Sequence, residues 1–467
     1  MQTHPHSLHR WPGATLVLFC FFGSAAFAQT QTASEDSATL RQILERLDRL
    51  EQQNRDLTAE VGALRKELAQ ARNAPAGAPA NAETAKAAPT ADLPNRVDVE
   101  ERRVEEMAQT KVESSQHFPI RITGMALFNS YINSNSGAPN LPVVVQPGGP
   151  LTGGATLRQT VLGLDYQGPE IFGDGKIHGF LSMDFFGATS DQYGGSLRIR
   201  TAGIEFNWAD TSIMVGQDKP LISPREPNSL AEVWIAPLAD SGNLWVWQPQ
   251  LRVEQRFHLD DSTTFRAQAS LFETREAYSG IAPAYGSIQA ARPSVQGRVA
   301  LAHSFDESRR IEFGSGFGGS TTHLSGTTVP SRVFTLDWFA NPWRKLEFSG
   351  AFFRGQNVTN LGGAGIGYTI VGPYSIIPVH ADGGWAQFSF LATQRLTFNL
   401  FGGEQQNRGI DLGSGAIAKN QTFGGNVMYR IAPNVILSLE GEQQHTNFFG
   451  AARPLNNHYD LGVAYLF

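Results

Sequence analysis

The chain has 467 residues, of which 17% are charged, below the roughly 25% of an ordinary soluble domain. A formal net charge of −6 argues against a strongly cationic nucleic-acid binder. Mean hydropathy is −0.23, and past residue 30 no apolar run approaches the ~20 residues of a spanning helix; this excludes a helical membrane protein but not a β-barrel, whose alternating strands average out polar.

His4, His6, His9 and Arg10 precede an apolar run from Ala14 to Phe22, and small residues follow up to Ala26-Phe27-Ala28. This order predicts a secretory signal over residues 1–28, cleaved before Gln29. The single cysteine, Cys20, lies inside it, which excludes a disulfide scaffold and a cysteine-based metal site in the mature chain. From Leu40 the apolar positions step by three and four. Leu40, Leu47, Val61 and Leu68 share one heptad position with Asn54, and Ile43, Leu50, Leu57, Leu64 and Ala71 take the other. So narrow a stripe predicts a coiled coil over 34–72, about 48 Å long at 1.5 Å per residue. Asn54 penalises slipped registers, where it would meet leucine. Residues 73–117 read as an Ala/Pro-rich and then charged linker.

After Phe118 the period changes to two. Tyr459, Leu461, Val463, Tyr465 and Phe467 fall on one face, and His458, Asp460, Gly462 and Ala464 on the other. In 251–259 an apolar set, Leu251, Val253, Phe257 and Leu259, opposes Arg252, Glu254, Arg256 and His258. Charges on the polar face of otherwise aliphatic and aromatic strands suit a wall with lipid outside and water inside. Residues 118–467 hold sixteen such segments, among them 244–259, 309–318 and 332–340, and their connections alternate between short turns such as Asp260–Ser262 and long excursions such as Gly355–Asp382. The predicted fold is therefore all-β, a 16-stranded antiparallel transmembrane β-barrel preceded by an α-helical coiled coil. Phe206, Trp208, Trp245, Trp247, Trp338, Trp343 and Tyr465 lie toward strand ends and are expected to form interfacial girdles.

The signal, the heptads, the segment Gln109–Ser114 before Phe118-Pro119-Ile120, Met183–Gly187, Leu197-Arg198-Ile199-Arg200, Val215–Asp218, Gln248–Arg252 and the terminal Phe467 together resemble the trimeric outer-membrane porins, in particular the DcaP-like and phosphate-selective families. The resemblance implies a homotrimer in outer-membrane lipid with the coiled coil in the periplasm, passive diffusion, a third outer loop folded into the pore, and a terminal Phe467 read during insertion.

A channel needs a constriction and a field. The third long connection, Asp218 to Asn243, carries Lys219, Arg225, Glu226, Glu232 and Asp240, stiffened by Pro220, Pro224, Pro227 and Pro237. Arg198, Arg200, Arg252, Arg256, Arg266 and Arg298 fall opposite Leu197, Ile199, Leu251, Val253, Phe265 and Val299, so they should point into the lumen and favour small anions, carboxylates or phosphate. Alternatively each pairs with a carboxylate such as Asp184, Glu205 or Glu254 and ties strands together. Arg198 and Arg200 share parity with Ile204 and Phe206, which face lipid, so a bulge must lie between. No G-x-S-x-G or H-E-x-x-H occurs, and Gly314–Gly319 matches G-x-G-x-x-G only as text, because it ends a strand and opens no helix. The expectation is a non-enzymatic channel without cofactor or metal. A trimeric envelope tether, whose coiled coil meets a periplasmic component, is the alternative and is compatible with it.

Overall fold

A computed structural model describes residues 119–136, 143–187, 195–273, 293–324, 327–372 and 375–467, all within the second of two compact units, Arg102–Phe467. The predicted signal, coiled coil and linker lie outside the described residues.

The strands are β1 (Ile120–Asn133), β2 (Thr152–Thr156), β3 (Val161–Ile171), β4 (Gly175–Asp184), β5 (Arg198–Asn207), β6 (Thr211–Asp218), β7 (Gln248–His258), β8 (Thr263–Glu273), β9 (Pro293–Ser304) and β10 (Arg310–Leu324). They continue with β11 (Thr327–Trp343), β12 (Leu346–Gln356), β13 (Tyr368–Gly372), β14 (Ser375–Pro378), β15 (His380–Leu391), β16 (Leu396–Asn407), β17 (Ile417–Ala432), β18 (Val435–Phe448) and β19 (Leu455–Leu466). Among the described residues seventeen strands form one sheet, and β13 and β14 pair apart from it as a hairpin. Both β2 and β3 pair antiparallel with β1, so they are two halves of one interrupted strand, and the sheet has sixteen staves.

The sheet closes on itself. β19 pairs antiparallel with β1 from Met125↔Leu466 to Asn133↔His458, and Gly124 and Phe467 exchange both backbone hydrogen bonds, at 2.9 and 3.1 Å. Closure removes the open edge that hydrocarbon would not tolerate. Alternation sorts the wall as the period-two pattern requires. Leu251, Val253, Leu461, Val463, Phe388 and Phe398 are exposed on the outer face, while Asn129, Gln250, Gln296, Gln387, Asn399 and Asn426 are buried on the inner one. An apolar outer face this continuous belongs in lipid. Deleting Phe467 removes the last pair of the seam. We expect the deletion to abolish the heat-modifiable barrel band in outer-membrane fractions.

Three expectations change. The segment read as a strand from Leu244 enters the sheet only at Gln248, because the four residues before it still belong to the inward loop. Trp245 and Trp247 therefore join no girdle: their rings pack edge to face at 5.6 Å, and Arg198 and Arg200 lie over Trp247 at 5.3 and 4.8 Å. Third, β10 and β11 run 15 and 17 residues and stay paired out to Leu324↔Thr327, so the chain after residue 318 continues the sheet as a tall hairpin. The bulge required by parity is at Arg200, the residue skipped where Ile199 pairs Met183 and Thr201 pairs Ser182.

Candidate functional site

The connection from Asp218 to Gln248 turns inward and lies along the inner wall. Its anchors are spread around the barrel. Ile222 donates its backbone N–H to Gln296 on β9, Asn228 to Gln387 on β15, and Ser229 its hydroxyl to Glu440 on β18 at 2.6 Å. Asn129 on β1 donates to the carbonyl of Leu230 at 2.8 Å, and Gln159 to that of Ala231 at 2.8 Å. Ser241 meets Thr422 on β17. The wall makes room for this path: a Cβ at Gly403 would strike the carbonyl of Ser241, and one at Gly242, whose φ is +96°, would strike the backbone of Gly384 and Glu404. Leu238 and Asp240 also hold left-handed backbone, at φ 60° and 59°, which non-glycine residues adopt only when their surroundings impose it. Apolar contacts complete the seat. Leu238 packs with Ala351, Trp385 and Phe401, and Ile222 and Leu244 pack with Phe272, Val333 and Phe353.

A second segment joins the same core. Val358 and Leu361, in the connection after β12, are buried with Ile222 and Leu244, and Trp245 donates its N–H to the carbonyl of Leu361 at 2.9 Å. This second inward turn was not foreseen. Its signal was faint: Asn357 takes φ 50°, and the apolar residues are scattered through a Gly-rich stretch.

Arginines line the side of the wall where the loop leaves and re-enters. Arg198 grips the buried Asp184 through Nε at 3.0 Å and Nη2 at 2.6 Å, and Arg200 stands 4.0 Å from the same carboxylate. Arg266, Arg225 and Arg298 converge on Glu312 at 2.6, 2.9 and 3.1 Å. Arg298 also forks onto Asp337 at 2.8 and 2.7 Å, and Arg225 reaches it at 3.3 Å. Arg252 holds the start of the loop, bonding the carbonyl of Lys219 at 2.8 Å and pairing with Asp218 at 3.1 Å. Lys219 pairs with Glu226. Arg256 pairs with Glu254 at 2.7 Å and bonds the carbonyl of Trp208 at 3.1 Å, which places it at the short-turn end of the barrel, away from the loop. Arg298 is only 3% exposed, with its guanidinium turned onto the carboxylates of Asp337 and Glu312. Among these arginines Arg198 and Arg266 have the most exposed side chains, each at 29%, Arg256 follows at 25%, and Arg200 keeps 15%.

Acids collect on the opposite side, beneath the loop. Glu232 is buried and accepts the N–H of Leu238 at 3.1 Å. Next to it are Glu440, Glu442 and Asp460, also buried, from β18 and β19. A relay of side-chain hydrogen bonds runs round the wall to them: Gln387 to Ser389 at 2.8 Å, Ser389 to Asn399 at 2.6 Å, Asn399 to Asn426 at 2.7 Å, and Asn426 to Glu440 at 2.9 Å. Asp240 keeps part of its surface open while its backbone is packed against the wall, and the loss of hydration there pushes its carboxyl up to about 7.

No protein-family model matches the chain, and no curated protein matches it in sequence. Among solved structures it is similar to the outer membrane channel DcaP of Acinetobacter baumannii, at 19% identity and a TM-score of 0.63, over 74% of this chain and 97% of that one. It is also similar to an anion-selective porin from Comamonas acidovorans, at 11% identity and a TM-score of 0.52, over 74% of this chain and 99% of that one. At these identities the likeness shows the fold, which is the closed antiparallel barrel of the porins.

Proposed function

We propose that the chain is an outer-membrane diffusion channel that passes small anionic solutes, carboxylates or phosphate, more readily than cations. One observation carries the preference. In most of the ion pairs on the arginine side, the guanidinium is the exposed member and the carboxylate the hidden one. Side-chain exposure is 29% for Arg198 against 0% for Asp184, 29% for Arg266 against 6% for Glu312, and 15% for Arg225 against 0% for Asp337. The acids across the lumen lie under the loop. A solute moving along such a wall meets guanidinium edges first, and in a low-dielectric cleft the nearest charges set the field. Guanidinium stays charged at any working pH and accepts carboxylate or phosphate in bidentate fashion. With this reading go a homotrimer and a periplasmic coiled coil over 34–72, supported by the heptad stripe and the sequence resemblance.

Reversal potential across a KCl gradient tests the preference. Arg200→Gln and Arg266→Gln are the informative changes, because Asp184 keeps Arg198, and Glu312 keeps Arg225 and Arg298. The double variant is expected to move the reversal potential toward zero with the barrel intact. The wild-type preference should also weaken as pH rises through about 7, where Asp240 ionises and adds a negative charge, and Asp240→Asn should flatten that step. A cation-selective wild type, or a reversal potential unmoved by the double variant, sinks the proposal.

A further inference from the structure

Charges on the outer face of a barrel are costly at mid-depth, about 2–4 kcal/mol for Arg or Lys, and nearly free at the interface. Outward-facing arginines are therefore informative by position. Three of them gather at the outer ends of β11, β12 and β16. Arg332 shares its face with the exposed Phe334 and Leu336, and Arg354 with the exposed Phe352. Arg408 follows directly on Asn407, the last residue of β16, and donates its backbone N–H to the carbonyl of His380 at 2.8 Å. The register brings them together: Arg332 lies opposite Gln356, Gln356 opposite His380, and Arg354 opposite both Phe334 and Asp382. Between them is a cleft of about 550 Å³, lined by these three arginines and by Phe317 and Phe334.

The acids nearest the cleft are each engaged by a neighbouring side chain, and Asp411 also feels the charge of Arg408. Asp382 pairs with Arg354 at 3.1 Å, Asp411 is held by His380 at 2.8 Å, and Glu404 by Lys419 at 3.0 Å. Arg332 and Arg408 have no carboxylate within 4 Å among the described residues. Arg354 remains 77% exposed despite its pair. The cleft thus offers cations above and phenyl rings below, on the lipid side of the wall, at the end bearing the long connections. A soluble anion would use the arginines but gains nothing from the rings. An acylated molecule with a phosphate head uses both.

We propose that this cleft binds the phosphate-bearing head group of an outer-leaflet lipid, with its acyl chains along Phe317 and Phe334. The phosphate oxygens take the guanidinium donors of Arg332, Arg354 and Arg408. The site rests on the barrel's placement in the outer membrane but not on its being a channel, so it is read without any conductance measurement.

The test uses the full chain in detergent micelles, with native mass spectrometry or a labelled-lipid titration. The probe is a bis-phosphorylated acylated glucosamine disaccharide, its dephosphorylated form is the first control, and inorganic phosphate is the second. We expect the triple variant Arg332→Gln, Arg354→Gln, Arg408→Gln to bind the phosphorylated probe at least tenfold more weakly. The triple change to Lys should retain most of the binding, and Arg344→Gln, at a short turn on the opposite end, should match wild type. Heat-modifiable mobility identifies the variants that fold, and if the Gln triple does not, Arg332→Gln with Arg408→Gln takes its place, since neither residue makes an ion pair within 4 Å among the described residues. Unchanged affinity in a folded Gln variant, or equal binding of the dephosphorylated probe, overturns the proposal. So does full displacement of the probe by inorganic phosphate at equal concentration, which marks a soluble-anion site.

Discussion

Replacing Asp337 with alanine is expected to cost the barrel about 3–5 kcal/mol, the usual penalty for removing one partner of a buried ion pair. Asp337 is 1% exposed and takes the fork of Arg298, itself 3% exposed, together with Nε of Arg225. Without it, Arg298 keeps only Glu312 and the carbonyl of the Gln268 side chain. Three guanidinium groups would then share one buried carboxylate, and Arg225, which is part of the inward loop, would lose one of its two holds on the wall. The expected result is a lower temperature for the shift between folded and unfolded gel mobility, with the loop more open to protease. Exchanging both partners, Arg298→Met with Asp337→Leu, should restore much of the loss, because a well-packed apolar pair needs no desolvation of charge. A single variant that melts as wild type does would show that the pair is not what fastens this side of the loop.

The barrel was legible in the sequence because its physics is periodic. Alternation at Leu251–Leu259 and Tyr459–Phe467 reports which side meets lipid at each residue, and errors in one strand are corrected by the next. Even the bulge at Arg200 was readable, since a parity conflict between Arg198 and Ile204 has only one local remedy. What failed was whatever depends on one particular contact. Trp245 and Trp247 sit near a strand end, as girdle residues do, but nothing in their spacing says that the chain is still inside the barrel there. The run Gly314-Ser315-Gly316-Phe317-Gly318-Gly319 was rightly read as no phosphate loop, yet its place at a strand end was wrong: it lies within β10. A Cβ at Gly314 would strike Arg298 and Asp337, and one at Gly316 would crowd Thr335 and Ile222. These glycines clear the inner wall for an ion pair and for the loop, a demand visible only once β9, β11 and the loop are in place. The acids Glu440, Glu442 and Asp460 were missed for the same reason. On the strand pattern they are ordinary lumen positions, and only the covering loop with Glu232 makes them a buried group.

That covering leads to the other large effect. Excising Glu226–Asp240 and bridging the gap with a short Gly-Ser linker should raise single-channel conductance several-fold and move the selectivity toward cations. Sixteen staves enclose a lumen that side chains alone do not fill, and the segment's anchors at Gln387, Glu440, Asn129 and Gln159 show how much of the inner wall it covers. Its removal widens the path. It also uncovers Glu440, Glu442 and Asp460, while most of the arginines on the opposite side stay where they are. The hydroxyl of Ser229 and the carbonyl of Leu230 no longer shield the acidic face, and Arg225 is lost as a cation unless the linker begins after it, as it does here. Water then reaches these carboxylates, and their field competes with the guanidinium edges. The two readouts separate the loop's roles. Higher conductance with unchanged anion preference would mean that the loop only narrows the lumen. Unchanged conductance with a shifted preference would mean that it shields the acids without limiting flow. If neither moved, the segment would lie outside the permeation path, and the site would have to be sought elsewhere on the wall.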